Sequence, residues 1–131
     1  MLVRTDNRQR SCEWYARAQQ SLVEGVNALR AGRPVEAPVG GLAADSLGAR
    51  RVGELMFPIA QAHVAGAVLV PDTAIGAAQA LIWDRLRLIA EPGGATALAA
   101  LLCGAFKPPA GARVGVLVCG ANTDPAKVTA S

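Results

Sequence analysis

Apolar side chains recur every three or four residues through Trp14, Ala18, Leu22, Val26 and Leu29. With Ser11 placed to cap and Gly32 placed to stop, the spacing predicts a helix over residues 12–31. Pro34, Pro38, Gly40 and Gly41 then make residues 33–41 a connector. Val52, Leu55, Met56 and Ile59 describe one helical face, interrupted at Pro58, so short helices are expected up to Val64. Ala67-Val68-Leu69-Val70 reads as a brief strand stopped by Pro71, with Asp72 offered as the cap of the next helix. That helix should bury Ile75, Ala78, Leu81, Ile82, Leu86 and Ile89, leaving Asp84 and Arg87 to pair on its outside. A second helix over residues 95–103 is apolar nearly all round and should be buried, Cys103 included. After the exposed turn Lys107-Pro108-Pro109-Ala110-Gly111, the unbroken run Val114-Gly115-Val116-Leu117-Val118 predicts a central strand covered on both faces. The alternation is α/β, with too few strands for a complete open sheet.

Composition narrows the class. A chain of 131 residues with 52% hydrophobic content can bury the core of one domain. Aromatic residues make up only 4%, so that core must be built from Ala, Val, Leu and Ile in close contact. The net charge of +3 gathers partly in Arg4, Arg8, Arg10 and Arg17. Asp6 and Glu13 interrupt that run and no nucleic-acid motif accompanies it, so a solvated face is the reading, not a nucleic-acid surface. Cys12, Cys103 and Cys119 stand far apart, odd in number and without a Cys-x-x-Cys pair. That argues against a disulfide framework and suits a reducing cytosol. A zinc site would need those cysteines and the lone His63 gathered from unrelated segments, so no metal is expected, and His63 reads as a helix-end or surface residue. The opening Met1-Leu2-Val3-Arg4-Thr5-Asp6 has no apolar stretch of signal-peptide length, and no run approaches the ~20 residues needed to cross a bilayer. The expectation is a soluble, cytoplasmic protein without membrane partners.

The chemistry gathers at two places. Glu91 stands before Pro92-Gly93-Gly94-Ala95, an acid at the start of a small-residue helix, where it suits the helix dipole or a ligand equally. Cys119-Gly120-Ala121-Asn122 follows the last strand, at the carboxyl end where open α/β sheets bind ligands. On sequence physics alone, a buried cysteine and a turn glycine are the favoured account of it.

The order of these motifs carries more. Asp45-Ser46-Leu47-Gly48-Ala49-Arg50-Arg51-Val52-Gly53, Trp83-Asp84-Arg85, Glu91-Pro92-Gly93-Gly94-Ala95 and Val118-Cys119-Gly120-Ala121-Asn122 together resemble the C-terminal part of the pyridoxal-phosphate-dependent serine/threonine dehydratases. The resemblance runs from about residue 28 to residue 124; residues 1–27 form an N-terminal segment without it, and residues 28–131 form the dehydratase-like portion. It implies part of a tryptophan synthase beta-like fold, an incomplete open sheet with packed helices, and pyridoxal 5'-phosphate as cofactor. It also implies that Cys119 faces the pyridine nitrogen, that Gly120 admits the ring, and that Glu91 and Asn122 lie on the cofactor side. The implied reaction is β-elimination from L-threonine or L-serine to a 2-oxo acid and ammonia.

The chain departs from the family at Gly93, where serine is usual, and at Ala121, where a second glycine is usual. A larger departure is that the catalytic-lysine motif, the asparagine beneath the ring and the glycine-rich phosphate loop have no counterpart. The only lysines, Lys107 and Lys127, sit in no such motif, and no residue is assigned a catalytic role. The expectation is therefore a fragment of a lyase, inactive alone and completed by a missing N-terminal half. The alternative is a non-catalytic association module that keeps the scaffold. Open strand edges and the apolar helix imply self-association in either case.

Overall fold

The computed structural model describes residues 2–4, 14–16, 23–44 and 49–129. Among these described residues, the elements follow in the order β1 (Leu2–Arg4), β2 (Trp14–Ala16), α1 (Val23–Ala31), α2 (Met56–His63), β3 (Val64–Gly66), α3 (Asp72–Leu86), α4 (Pro92–Leu102), β4 (Val114–Val116) and α5 (Pro125–Thr129). The strands form one mixed sheet in the order β3-β1-β2-β4. β1 runs antiparallel to both β2 and β3, and β4 lies parallel to β2 with Trp14 opposite Val114.

Helices α3 and α4 make the core. Ile75, Ala78 and Ile82 of α3 pack with Ala95, Ala99 and Ala100 of α4, joined by Val70, Ala43 and Ala90. Every one of these nine side chains is at most 2% exposed, and six of them are alanines, which is how a chain with few aromatic rings reaches dense packing. Pro92 occupies the first turn of α4, where its missing N–H costs no helical hydrogen bond. The one buried hydroxyl of that helix, Thr96, donates to the Pro92 carbonyl at 2.8 Å.

Several expected elements differ in the structure. Trp14–Ala16 is a strand and not the first turn of a helix; among the described residues the predicted helix is seen at Val23–Ala31, followed by Gly32 as expected. Backbone pairing with β1 and β4 at once outweighs a side-chain spacing that suits either conformation. Ser11, Cys12, Ala18 and Leu22 lie outside the described residues, as does Asp45-Ser46-Leu47-Gly48. The strand expected at residues 67–70 sits three residues earlier, because Val64–Gly66 carries the pairing with β1 while Val68 and Val70 pack on the helical core. Pro58 falls in the first turn of α2 and does not break it.

The last strand is shorter than expected and is not central. β4 pairs with β2 and ends the sheet; Val114, Gly115 and Val116 are each half-buried, and Leu117 is 54% exposed. Ala97 of α4 packs on Val116, so one face of the strand is covered. An unbroken apolar run does not distinguish a strand with neighbours on both sides from one at an edge.

Two surface expectations also change. Asp84 pairs with Arg85 at 3.3 Å, whereas Arg87 takes a left-handed backbone (φ 56°) at the end of α3 and lies over the Trp83 ring. Leu86 is exposed and not part of the buried side. Asp72 is the first residue of α3 and not its cap: Pro71 holds the cap position, and the buried Oδ1 of Asp72 has no hydrogen-bond partner among the described residues. No helix among the described residues is long and apolar enough to cross a membrane.

Candidate functional site

The site is the seam where the turn after β4 meets the start of α4. Gly94 and the Cys119 carbonyl touch so closely that a Cβ built on Gly94 would lie 1.5 Å from that oxygen. Only hydrogen at this position lets helix and turn meet. One residue on, Gly120 has φ +75° and sits under the Glu91 side chain, whose Cδ would be 2.2 Å from an added Cβ. The Glu91 N–H donates to the Gly120 carbonyl at 2.9 Å, so the two segments are also joined by backbone. Glu91 itself is extended (φ -67°, ψ 160°), the conformation a residue before proline favours.

From the far side, α3 reaches the same seam. Gln79 is buried among apolar neighbours and its Nε2 donates to the Ala90 carbonyl at 2.7 Å. Beyond the seam the chain turns through Ala121 to Thr123, and the Asp124 side chain accepts the Ala126 N–H at 2.9 Å to start α5. Glu91, Asn122, Thr123, Asp124 and Lys127 then line an open cleft of about 670 Å³, with Leu42 and Pro92 as apolar walls.

Of the four residues singled out in the sequence, Glu91 and Asn122 share this cleft, and Gly120 packs against Glu91. Cys119 is half-buried, three residues past the end of β4, and its carbonyl rests on Gly94. Cys103 is exposed at the end of α4, contrary to the expectation of an inert buried thiol. The helix buries its first two turns and lets its last one emerge. His63 ends α2 in an exposed position, as expected.

The sequence reading missed Gly94, Gln79 and Lys127. A second glycine at the start of an alanine-rich helix is a signal for close backbone approach. A lone amide among the apolar positions of α3 is another, because burial of that group demands a partner. Lys127 reaches the cleft only through α5, which was not anticipated.

The model of the family described as "Pyridoxal-phosphate dependent enzyme" matches residues 15–120. A phenylserine dehydratase of Ralstonia pickettii is 45% identical over 83 residues, 63% of this chain and 26% of that protein. A serine racemase of Oryza sativa subsp. indica is 33% identical over 98 residues, 72% of this chain and 29% of the relative. Among solved structures, a threonine deaminase of T.th. superimposes with a TM-score of 0.71 at 32% identity, covering 82% of this chain and 36% of that one. Maize serine racemase gives 0.73 at 29% identity, covering 86% and 36%. The chain thus spans between a quarter and somewhat over a third of these relatives. A match over most of its length establishes that the chain belongs to the pyridoxal-phosphate dependent enzyme family.

Proposed function

We propose that this chain furnishes one wall of the cofactor site of an ammonia-lyase that eliminates the β-hydroxyl of L-serine or L-threonine, with Glu91, Cys119, Gly120 and Asn122 on the cofactor side. The reading is carried by the seam, which brings the acid of one motif against the glycine of the other and opens Glu91 and Asn122 to a common cleft. Relatives named dehydratase and deaminase support elimination, alongside others named serine racemase. A cytoplasmic location accompanies this reading, from the widely spaced cysteines.

The residues fit one side of a pyridine ring. Asn122 offers an amide at the cleft, Gly120 lies beneath the Glu91 side chain, and Cys119 is read as supplying a thiol in place of a carboxylate. They do not fit the rest of the cofactor: two carboxylates, Glu91 and Asp124, against the single cation Lys127 among the described lining residues make this cleft unfavourable for a phosphate, and no lysine motif is present in these 131 residues to carry the aldehyde. When bound, pyridoxal phosphate supplies the electron sink for loss of the α-proton. The part played by this chain is to orient and enclose. A thiol facing the ring nitrogen does not hold a proton there as a carboxylate does, which suits elimination, where the carbanion need not be fully delocalised.

These 131 residues are therefore expected to produce no 2-oxo acid from L-serine or L-threonine. Turnover above background that is lost in Cys119→Asp would overturn this. The wall itself is tested by NMR: pyridoxal phosphate added to the labelled chain should shift the amides of Glu91, Gly120 and Asn122. Shifts confined to the Arg33 and Arg51 depression would mean that the chain responds only to the phosphate and would reject the assignment.

A second reading, a non-catalytic association module, draws on the outer face of α2. Leu55, Met56 and Ile59, which the sequence pattern places on one helical face, are 87%, 55% and 53% exposed there.

A further inference from the structure

We infer that Gln79 is a positioning residue for Glu91, a role that rests on reading Glu91 as a cofactor-side acid. The observation is a clamp on a single peptide unit. The plane between Ala90 and Glu91 presents its carbonyl to Gln79 Nε2 at 2.7 Å and its N–H to the Gly120 carbonyl at 2.9 Å. Because a peptide unit is planar, two hydrogen bonds at opposite edges fix its rotation. That rotation sets the direction in which the Glu91 side chain leaves the backbone.

The two partners come from different elements, α3 and the turn after β4, so the unit is held against movement of either. The bonds also run in series, from the amide of Gln79 through the peptide to Gly120, an arrangement in which each strengthens the next. Gln79 is 7% exposed and lies among Ile75, Ala78 and Ile82. An apolar residue would fill this place without the cost of burying an amide, so packing does not account for glutamine there. A directed donor does. The clamped peptide enters Pro92, whose fixed φ carries the orientation on into α4.

The test uses the 131-residue chain and hydrogen exchange read by NMR. In Gln79→Met, which keeps the length and removes the donor, the Glu91 N–H should exchange about tenfold faster relative to the Ala99 and Ala100 amides. The Glu91 side-chain carboxyl signal should move with it. Gln79→Glu supplies a rescue within one folded protein: at about pH 4 a protonated carboxyl donates to Ala90 and protection returns, and at about pH 8 an ionised one cannot. If Gln79→Met accelerates all core amides together and leaves the Glu91 carboxyl signal in place, the residue is only a structural tether. If the Met variant does not fold, the two pH values in Gln79→Glu decide; equal protection at both overturns the inference. None of these readouts uses the cofactor. Loss of the cofactor-induced shifts with an intact clamp would remove the site assignment, and the opposite pattern would remove Gln79 alone.

Discussion

One methyl group decides whether the seam closes at Gly94. Its added Cβ would meet the Cys119 backbone, which cannot swing aside as a side chain can. Gly94→Ala should therefore lower unfolding free energy by about 3 kcal/mol, the upper range for overpacking a tight contact. At Gly120 the obstacle is the flexible Glu91 side chain, and the left-handed backbone adds roughly 1 kcal/mol. Denaturant titration of both variants should rank Gly94→Ala as the more damaging; a Gly94→Ala chain as stable as the parent would show that the seam is loose. A different residue governs the response to pH. Glu24 on α1 is 2% exposed, and burial raises its carboxyl above the ordinary 4.5. The folded state then holds a proton more tightly than the unfolded one, so its contribution favours folding below the ordinary value and is lost as pH rises through the raised one. Glu24→Gln should consequently raise Tm at neutral pH and leave it nearly unchanged in acid. Equal effects at both ends would place the carboxyl in contact with water.

At the level of elements, what the sequence made legible depended on whether a segment's own side chains decide its structure. The two core helices were readable because Ile75, Ala78 and Ile82, and then the alanines after Gly94, recur at helical spacing and are buried on that account. Trp14–Ala16 was not, since its conformation comes from two neighbouring strands far away in sequence. The same holds for the site: Glu91 and Asn122 could be named from motif order, whereas the clamp by Gln79 exists only once α3 is folded against α4. Helix α2 shows the opposite case, a pattern that is real but faces outward. Replacing Leu55 and Ile59 together with lysine should reduce association of the chain at micromolar concentration, followed by sedimentation. A parent chain that sediments as a clean monomer over that range would refute an adhesive role for this face.

For the molecule as a whole, packing is divided between a helical pair that is dense and a sheet that is thin. The contacts of α3 with α4 involve residues close along the chain, so little loop entropy opposes their formation. The β2–β4 ladder instead joins Trp14 to Val114, across nearly the whole sequence, through three residues on each side. Contacts of such long range form slowly. It follows that the order of assembly is written into the topology: the helical hairpin carrying Glu91 gathers first, and β4 delivers Gly120 to it only as the sheet closes. Until then the Ala90–Glu91 peptide is held from the α3 side alone, and closing the ladder is the step that completes the seam between Glu91 and Gly120.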